Sequence, residues 1–331
     1  MATTDISNLN ATGFDRALLR TVETRGGMMR PLVRLASGDL YREKGIYPRI
    51  TSSGLPQIKT NRFGDSPVSE QTYSNRSVTR RDYVDGIDVD RSDLNRMVVD
   101  PRNEYVTSLA QRMGRQEDIA IQAAALGAAQ GGNLGATSTP FDTNNIIAVG
   151  TGALAGNTTA SLNYEKIKKT ISTFMKNDVM LDAGERPCFV ITPYEWDALM
   201  DDDKYINFDY NKNRVVNGGS SMIKDFLGAD YIVTNIIPYM NQAGTGFNVD
   251  QDVNVDRATG KWDDTDVTAT HACFAMVKSA VLHEIKPDII TRITERADKQ
   301  FQPYVFAEMG FGAVRMEEEK VIALPCAQTP A

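Results

Sequence analysis

The polar and apolar positions divide the chain into unequal stretches. Residues 1–15 are polar and predict an unpacked arm. Phe14, Ala17, Leu18 and Val22 then recur at helical spacing, and Gly26-Gly27 follows as a stop signal. From residue 41 to 91 the pattern is that of long, two-sided, polar β structure. Gln57 to Phe63 leads into the turn cluster Gly64-Asp65-Ser66-Pro67, and Val68 to Tyr83 returns with alternating character. This ribbon has almost no Leu or Ile with which to bury itself. An isolated two-stranded ribbon is marginal in water, so the pattern calls for a partner subunit.

Asp100-Pro101 opens the longest predicted helix, with Asp as the cap and Pro at the first helical position. From Arg102 to Ala129 the residues are good helix formers. Tyr105/Val106, Leu109/Ala110, Met113, Ala120, Ala124 and Gly127 or Ala128 supply a narrow stripe of mostly small residues. At about 1.5 Å per residue the helix is on the order of 40 Å long, ending at Gly131-Gly132. So thin an apolar face suits a helix laid across a sheet rather than one in a bundle.

Residues 131–161 are rich in Gly, Thr, Asn and Ala and predict a loop. A second helix starts at Asn163, with Leu162 and Ile167 as a hydrophobic staple and Ile171 and Phe174 continuing the buried face. Cys188 to Ile191 reads as a buried strand, followed by a helix that Thr192 and Glu195 cap as a box, with Pro193 at its first position. Trp196 and Leu199 are that helix's expected core contacts. Asp201-Asp202-Asp203 lies in its solvated exit. Residues 229–234 and 272–277 read as strands, and the polar, acidic stretch between them as an exposed loop. Ile289 to Thr294, a turn at Ala297-Asp298-Lys299, and Tyr304 to Met309 make a long hairpin; Val321 to Leu324 closes the chain. Helices and strands are mixed without βαβ regularity, so the class is α+β.

Composition narrows the function. The 331 residues are 41% hydrophobic and 24% charged, which fits a folded chain with a sizeable core. A net charge of -7 is a poor footprint for duplex recognition. One local exception is the basic run Arg16, Arg20, Arg25, Arg30 and Arg34, set against Asp15 and Glu23. It reads either as a solvated helix face or as a segment docking on acidic neighbours or near packaged nucleic acid. The three cysteines, Cys188, Cys273 and Cys326, are far apart and suit a reducing compartment. The first residues lack the blocks of a signal peptide, and the most apolar stretch is too short to span a bilayer. The expected place of folding is a cytoplasm.

Catalytic chemistry finds little support. Ile146 to Ala155 fits a strand plus G-x-G-x-x-A, but Gly156-Asn157-Thr158-Thr159 breaks the helix that a pyrophosphate would need. Asp250, Asp252 and Asn254 resemble half a calcium loop, with Val255 where Gly belongs and Lys261 where Glu belongs. His271 and His283 lack ligand spacing. Cys188 in its apolar strand is packing rather than a nucleophile. No catalytic, cofactor or metal site is expected.

The order of these pieces resembles the major capsid protein of tailed bacteriophages, with the Hong Kong 97-type fold. Arg76 to Tyr83 through Val99 to Tyr105 looks like the strand entering that fold's spine helix. Phe189 to Met200 followed by Phe226 to Asn235 looks like its axial domain, and Arg292 to Gln300 with Ala307 to Val321 like the last strands of its peripheral domain. The resemblance covers roughly residues 70 to 325 and rests on order and spacing.

It implies an N-terminal arm over 1–40, an extended β-hairpin loop over 41–78, and a peripheral domain over 79–185 with its spine helix at about 101–129. An axial domain over 186–282 and peripheral return strands over 283–331 complete the layout. The implied function is self-assembly into pentamers and hexamers of an icosahedral head enclosing double-stranded DNA without sequence specificity. The negative charge fits an inner wall that does not trap that DNA. Implied partners are other copies of the chain, a separate scaffolding protein, a portal and a decoration protein, with no membrane. The implied location is the virion capsid, made in the bacterial host cytoplasm. Candidate inter-subunit contacts are Arg16, Arg20, Arg25, Lys59, Arg62, Phe63, Arg76, Arg80 and Arg81. Lys59 lies in about the region where some relatives cross-link, but no partner asparagine or catalytic acid stands out. The alternatives are an encapsulin-like compartment shell and, from another class, an oligomeric α/β dinucleotide-binding enzyme.

Overall fold

A computed structural model describes residues 26–36, 44–51, 55–56, 58–59, 68, 70–90, 102–132, 135–153, 158–179, 185–202, 226–241, 246–263 and 267–327. After a 3₁₀ turn at Arg30–Leu32 come strands β1 (Arg34–Leu35), β2 (Lys44–Thr51), β3 (Thr72–Thr79) and β4 (Arg81–Asp88). Helix α1 (Arg102–Leu126) is followed by β5 (Ala129–Gly131), β6 (Thr137–Thr139) and helix α2 (Tyr164–Lys176). Strand β7 (Pro187–Ile191) runs into helix α3 (Pro193–Met200). Short strands follow: β8 (Asp230–Val233), β9 (Tyr239–Asn241), β10 (Phe247–Asn248), β11 (Val255–Asp256) and β12 (Lys261–Trp262). The last five strands are β13 (Val267–Val277), β14 (Val281–Ile285), β15 (Ile290–Arg296), β16 (Gln302–Arg315) and β17 (Val321–Ala327).

One sheet is organised by β16. Its residues alternate, and Val305, Ala307, Met309 and Phe311 point to one face, where they are buried against Leu109, Met113 and Ala120 of α1. The helix therefore lies across the sheet, as its thin stripe predicts. Strand β4 pairs antiparallel along one edge of β16, from Arg81 opposite Phe311 to Asp88 opposite Tyr304. The other edge takes β15 and then β14, to which β1 adds in parallel. The expected β15–β16 hairpin is present, closed by a 3₁₀ turn at Ala297–Lys299 and by Gln300 and Phe301 in left-handed backbone.

The second sheet runs β10-β9-β13-β7-β8, with β17 on the other edge of β13. Strands β7 and β13 are near-continuous apolar runs because both faces are covered. Phe174 of α2 and Leu199 of α3 pack with Phe189 and Phe274. Each such fully buried side chain stabilises the fold by roughly 1.5–3 kcal/mol over leaving it in water. Asn163 caps α2 by accepting from Lys166 N, and Thr192 caps α3 by accepting from Glu195 N. The expected box on α3 is only half made, since the Glu195 carboxylate turns away to accept from Leu162 N at 2.7 Å. Lys166 is wholly buried and ties α2 to β17, donating to the carbonyls of Ala160 and Pro325 at 2.7 and 2.8 Å.

Other expectations are corrected. Helix α1 ends at Leu126, before the predicted Gly131-Gly132, because Arg315 takes the Ala125 and Gly127 carbonyls and Ala129–Gly131 pairs as strand. The Val68 to Tyr83 return is divided: Thr72–Thr79 pairs with β2, and Arg81 onward joins β16. The stretch 283–331 is shared between two sheets, since β17 pairs with β13 from Thr270 opposite Ala327 to Met276 opposite Val321. Helix α2, which the resemblance groups with α1, packs in the second sheet's core, where Ile121, Ala125 and Leu126 of α1 also lie. The acidic stretch before β13 is not simply an exposed loop. Trp262 is buried with Ile119 of α1 and Ile236, and its Nε1 donates to Gln122 Oε1 at 2.6 Å. The predicted helix near residues 14–24 and the Asp100-Pro101 cap lie outside the described residues.

Candidate functional site

A hairpin forms the edge of a four-stranded sheet, β2-β3-β5-β6, in which no described strand pairs with the outer edge of β2. Strands β2 and β3 pair from Lys44 opposite Thr79 to Thr51 opposite Thr72. Its root is built into the body. Val78 is buried with Ala129, Leu282 and Val314, and Tyr47 and Met316 pack beside them. The Tyr47 hydroxyl donates to Glu284 at 3.1 Å, and Arg49 donates to Ser74 Oγ at 2.7 Å and to the Met316 carbonyl at 2.5 Å.

Two guanidiniums brace this root through one carboxylate. Arg76 donates to Glu318 Oε1 at 2.8 Å and to Thr139 at 2.9 Å. Arg315 donates to Glu318 Oε2 at 2.5 Å. It also caps α1, taking carbonyls that a helix C-terminus leaves without partners, and its charge suits the negative end of the helix dipole. The Phe141 ring lies 5.0 Å beneath its guanidinium carbon. Burial pulls both guanidiniums below the usual arginine range, against the opposing pull of Glu318.

Beyond the root the balance reverses. Ile50 and Tyr73 form a cross-strand pair, exposed by 64% and 68%. Further out Leu55, Ile58 and Val68 are exposed by 94%, 89% and 86%. Ile50 and Tyr73 lie on the strand pair, and Leu55, Ile58 and Val68 lie in the sequence between its two strands. The sequence signal for these positions is isolated apolar residues in a polar hairpin.

The described sequence candidates, Lys59, Arg76, Arg80 and Arg81, have different surroundings. Lys59 is exposed. Arg76, expected at a subunit contact, is only 3% exposed and is used inside the chain. Arg80 lies 3.3 Å from Asp82, and Arg81 forms a two-pronged bond to Asp252 with both distances 3.0 Å. Arg16, Arg20, Arg25, Arg62 and Phe63 lie outside the described residues.

The chemical decoys have structural occupations. The Gly150-Thr151-Gly152 turn packs on the cap of α2: Asn163 donates to the Thr151 carbonyl at 3.0 Å. A Cβ at Gly152 would lie 2.6 Å from the Asn163 amide, so this turn is closely packed against the helix cap. Asp252 is held by Arg81, and Asp250 by the Asp252 amide at 2.9 Å. Among the described residues there is no group of three or more His, Cys, Asp or Glu placed to hold a metal. All three cysteines are buried thiols, and burial pushes Cys188 up to about 12. No described helix is long and apolar enough to cross a membrane.

The described residues thus form a sheet covered on both faces, a long helix laid across a second sheet, and the β2–β3 hairpin. The sequence profile of the family described as Phage capsid protein matches residues 6–328. The chain belongs to this phage capsid protein family. Its structure is similar to that of the capsid of the cyanophage P-SCSP1u, with a TM-score of 0.69, 14% identity, and coverage of 98% of this chain and 95% of that one. It is also similar to the head structure of Helicobacter pylori bacteriophage KHP40, with a TM-score of 0.67, 12% identity, and coverage of 99% and 100%. The capsid of Ralstonia phage GP4 gives a TM-score of 0.61 at 11% identity, covering 96% and 95%. No curated protein sequence matches the chain. The role that follows is that of a major capsid protein in an icosahedral phage head, and its place is the virion capsid. Neither the compartment-shell nor the dinucleotide-enzyme alternative is favoured.

Proposed function

We propose that this capsid subunit is a non-enzymatic self-assembling part whose hairpin, residues 41–78, reaches over a neighbouring copy within pentamers and hexamers. The observation that carries this reading is the contrast within one ribbon, pinned at its base by Arg49 and Arg76 and apolar and exposed at Leu55, Ile58 and Val68. Burying those three side chains on a neighbour is favourable by roughly 1.5–3 kcal/mol each before the costs of ordering. Each contact is modest. Repetition around closed rings, each hairpin meeting the same surface of the next copy, gives a durable shell.

On the same reading α1 is the spine of the peripheral domain, residues 186–282 form most of the axial domain, and β17 supports the latter's sheet. A separate scaffolding protein, a portal, a decoration protein and packaged double-stranded DNA are the further partners proposed, with assembly in the host cytoplasm. Deleting residues 57–68 tests the hairpin's role. The expected product is a soluble, folded subunit that forms no shells in sedimentation and electron microscopy. Normal particles from the deletion would overturn the assignment.

A further inference from the structure

We propose that the cavity between helix α1, strand β4 and the β11–β12 turn is a binding site for phosphate groups. The inference is independent of the hairpin's role. The cavity holds about 680 Å³, and three arginines line it: Arg112 and Arg115 from α1, and Arg257 from the turn. Asp85 of β4 is the only carboxylate among the described residues that line it. Three guanidiniums against one carboxylate leave a formal excess of two positive charges, inside a chain whose net charge is -7.

The fold brings these cations together from distant parts of the sequence. Arg112 and Arg115 stand three residues apart on α1 and so share one side of the helix. The turn that carries Arg257 is seated on the Arg115 side chain. Gly260 has a φ of +67°, and a Cβ there would lie 3.0 Å from Arg115 Nε, so glycine alone meets both demands without strain. Met113, Ile119, Val255 and Ala258 give the cavity apolar lining between the charges. Charge pairs formed in such a recess are screened less by salt than pairs on open surface.

The donors of these arginines are only partly used. A guanidinium carries its N–H groups in a planar fork that fits two oxygens of a phosphate. Arg112 gives one N–H to Asp85 Oδ2 at 3.3 Å. Arg257 Nη2 lies 4.0 Å from Asp252, beyond hydrogen-bond reach, and both Asp252 oxygens already accept from Arg81. Asp256, in the same turn, is spent on Ala258 N at 2.9 Å and the Thr259 hydroxyl at 2.6 Å. A carboxylate ligand offers two oxygens, which one arginine satisfies. A phosphate group presents oxygens in several directions, which suits guanidiniums on two walls of one recess. The nucleic-acid backbone carries such groups in series, and a few contacts keep its binding weak and salt-dependent.

Two measurements on the full chain test this. The first follows binding of duplex DNA by fluorescence anisotropy across a salt series. Each phosphate contact adds about 0.9 to the slope of log Kobs against log salt, so Arg112→Gln with Arg257→Gln should lower the slope by about 2. The loss should be the same for unrelated duplex sequences. Arg292→Gln, at an exposed arginine of β15 outside the cavity, should leave the slope unchanged. The second measurement is hydrogen exchange in inorganic phosphate against chloride at equal ionic strength. Phosphate should slow the Ala258 and Gly260 amides in the wild type and not in the double variant. Slowing without duplex binding assigns the site to a free phosphate compound; both together assign it to the nucleic-acid backbone. The proposal is overturned by duplex binding with an unchanged slope in the double variant, by an equal fall in Arg292→Gln, or by the absence of both duplex binding and slowing. Should the double variant fail to fold, Arg257→Gln alone, on its exposed turn, should lower the slope by about 1 and decides between the same outcomes.

Discussion

The β2–β3 hairpin and the β13-centred sheet treat apolar side chains in opposite ways. From Ala272 to Val277 every residue of β13 is exposed by no more than 1%, with β17 along one edge and β7 along the other. On the hairpin, Ile50, Leu55, Ile58, Val68 and Tyr73 are all more than half exposed, and one edge of β2 faces no described strand. Both are regular β structure. They differ in whether this chain supplies the second layer that a sheet face needs. The β13 sheet is covered by its own chain, whereas on the proposed reading the hairpin is covered by a neighbouring copy.

The largest effect expected on a single subunit lies at the boundary between the two regions. Arg315→Ala strands Glu318 and the Ala125 and Gly127 carbonyls in a buried site, and should cost about 3–5 kcal/mol. Urea unfolding of the subunit measures it. A loss under about 1 kcal/mol would show that the hairpin root is not held as described. The complementary test leaves subunit stability almost untouched. Replacing Leu55, Ile58 and Val68 together with Ser should shift the unfolding midpoint little, within about 0.5 kcal/mol per site. The same variant should raise the concentration needed for assembly at least ~10-fold, read by sedimentation across a dilution series. A variant that destabilises the subunit but assembles normally would erase the distinction between the regions.

Much of the local structure was legible in sequence because it is decided locally. Asn163 and Thr192 cap helices through bonds to amides three residues on, and the β15–β16 hairpin closes over a short polar turn. The α1 stripe was also readable, since Leu109, Met113 and Ala120 are spaced for one face. What was not legible depends on residues far away. The end of α1 is set by Arg315, 190 positions beyond the Ala125 carbonyl that it takes. Arg76 turns inward because Glu318, 242 positions later, receives it. The place of β17 beside β13 follows from a shared apolar surface that no periodicity in Val321–Leu324 reveals. For the candidate site, the paired ribbon itself was legible. Its apolar tip was not, because single Leu, Ile and Val residues in a polar stretch carry no pattern until their exposure is known.

The most direct measurement is hydrogen exchange across the hairpin, comparing dispersed subunits with assembled particles of the same chain. The expected result is fast exchange of residues 55–70 in the subunit and strong protection in the particle, with the amides of Ala272–Val277 protected in both. Equal protection of residues 55–70 in both states would mean that the hairpin finds its cover within its own chain, and would contradict the account.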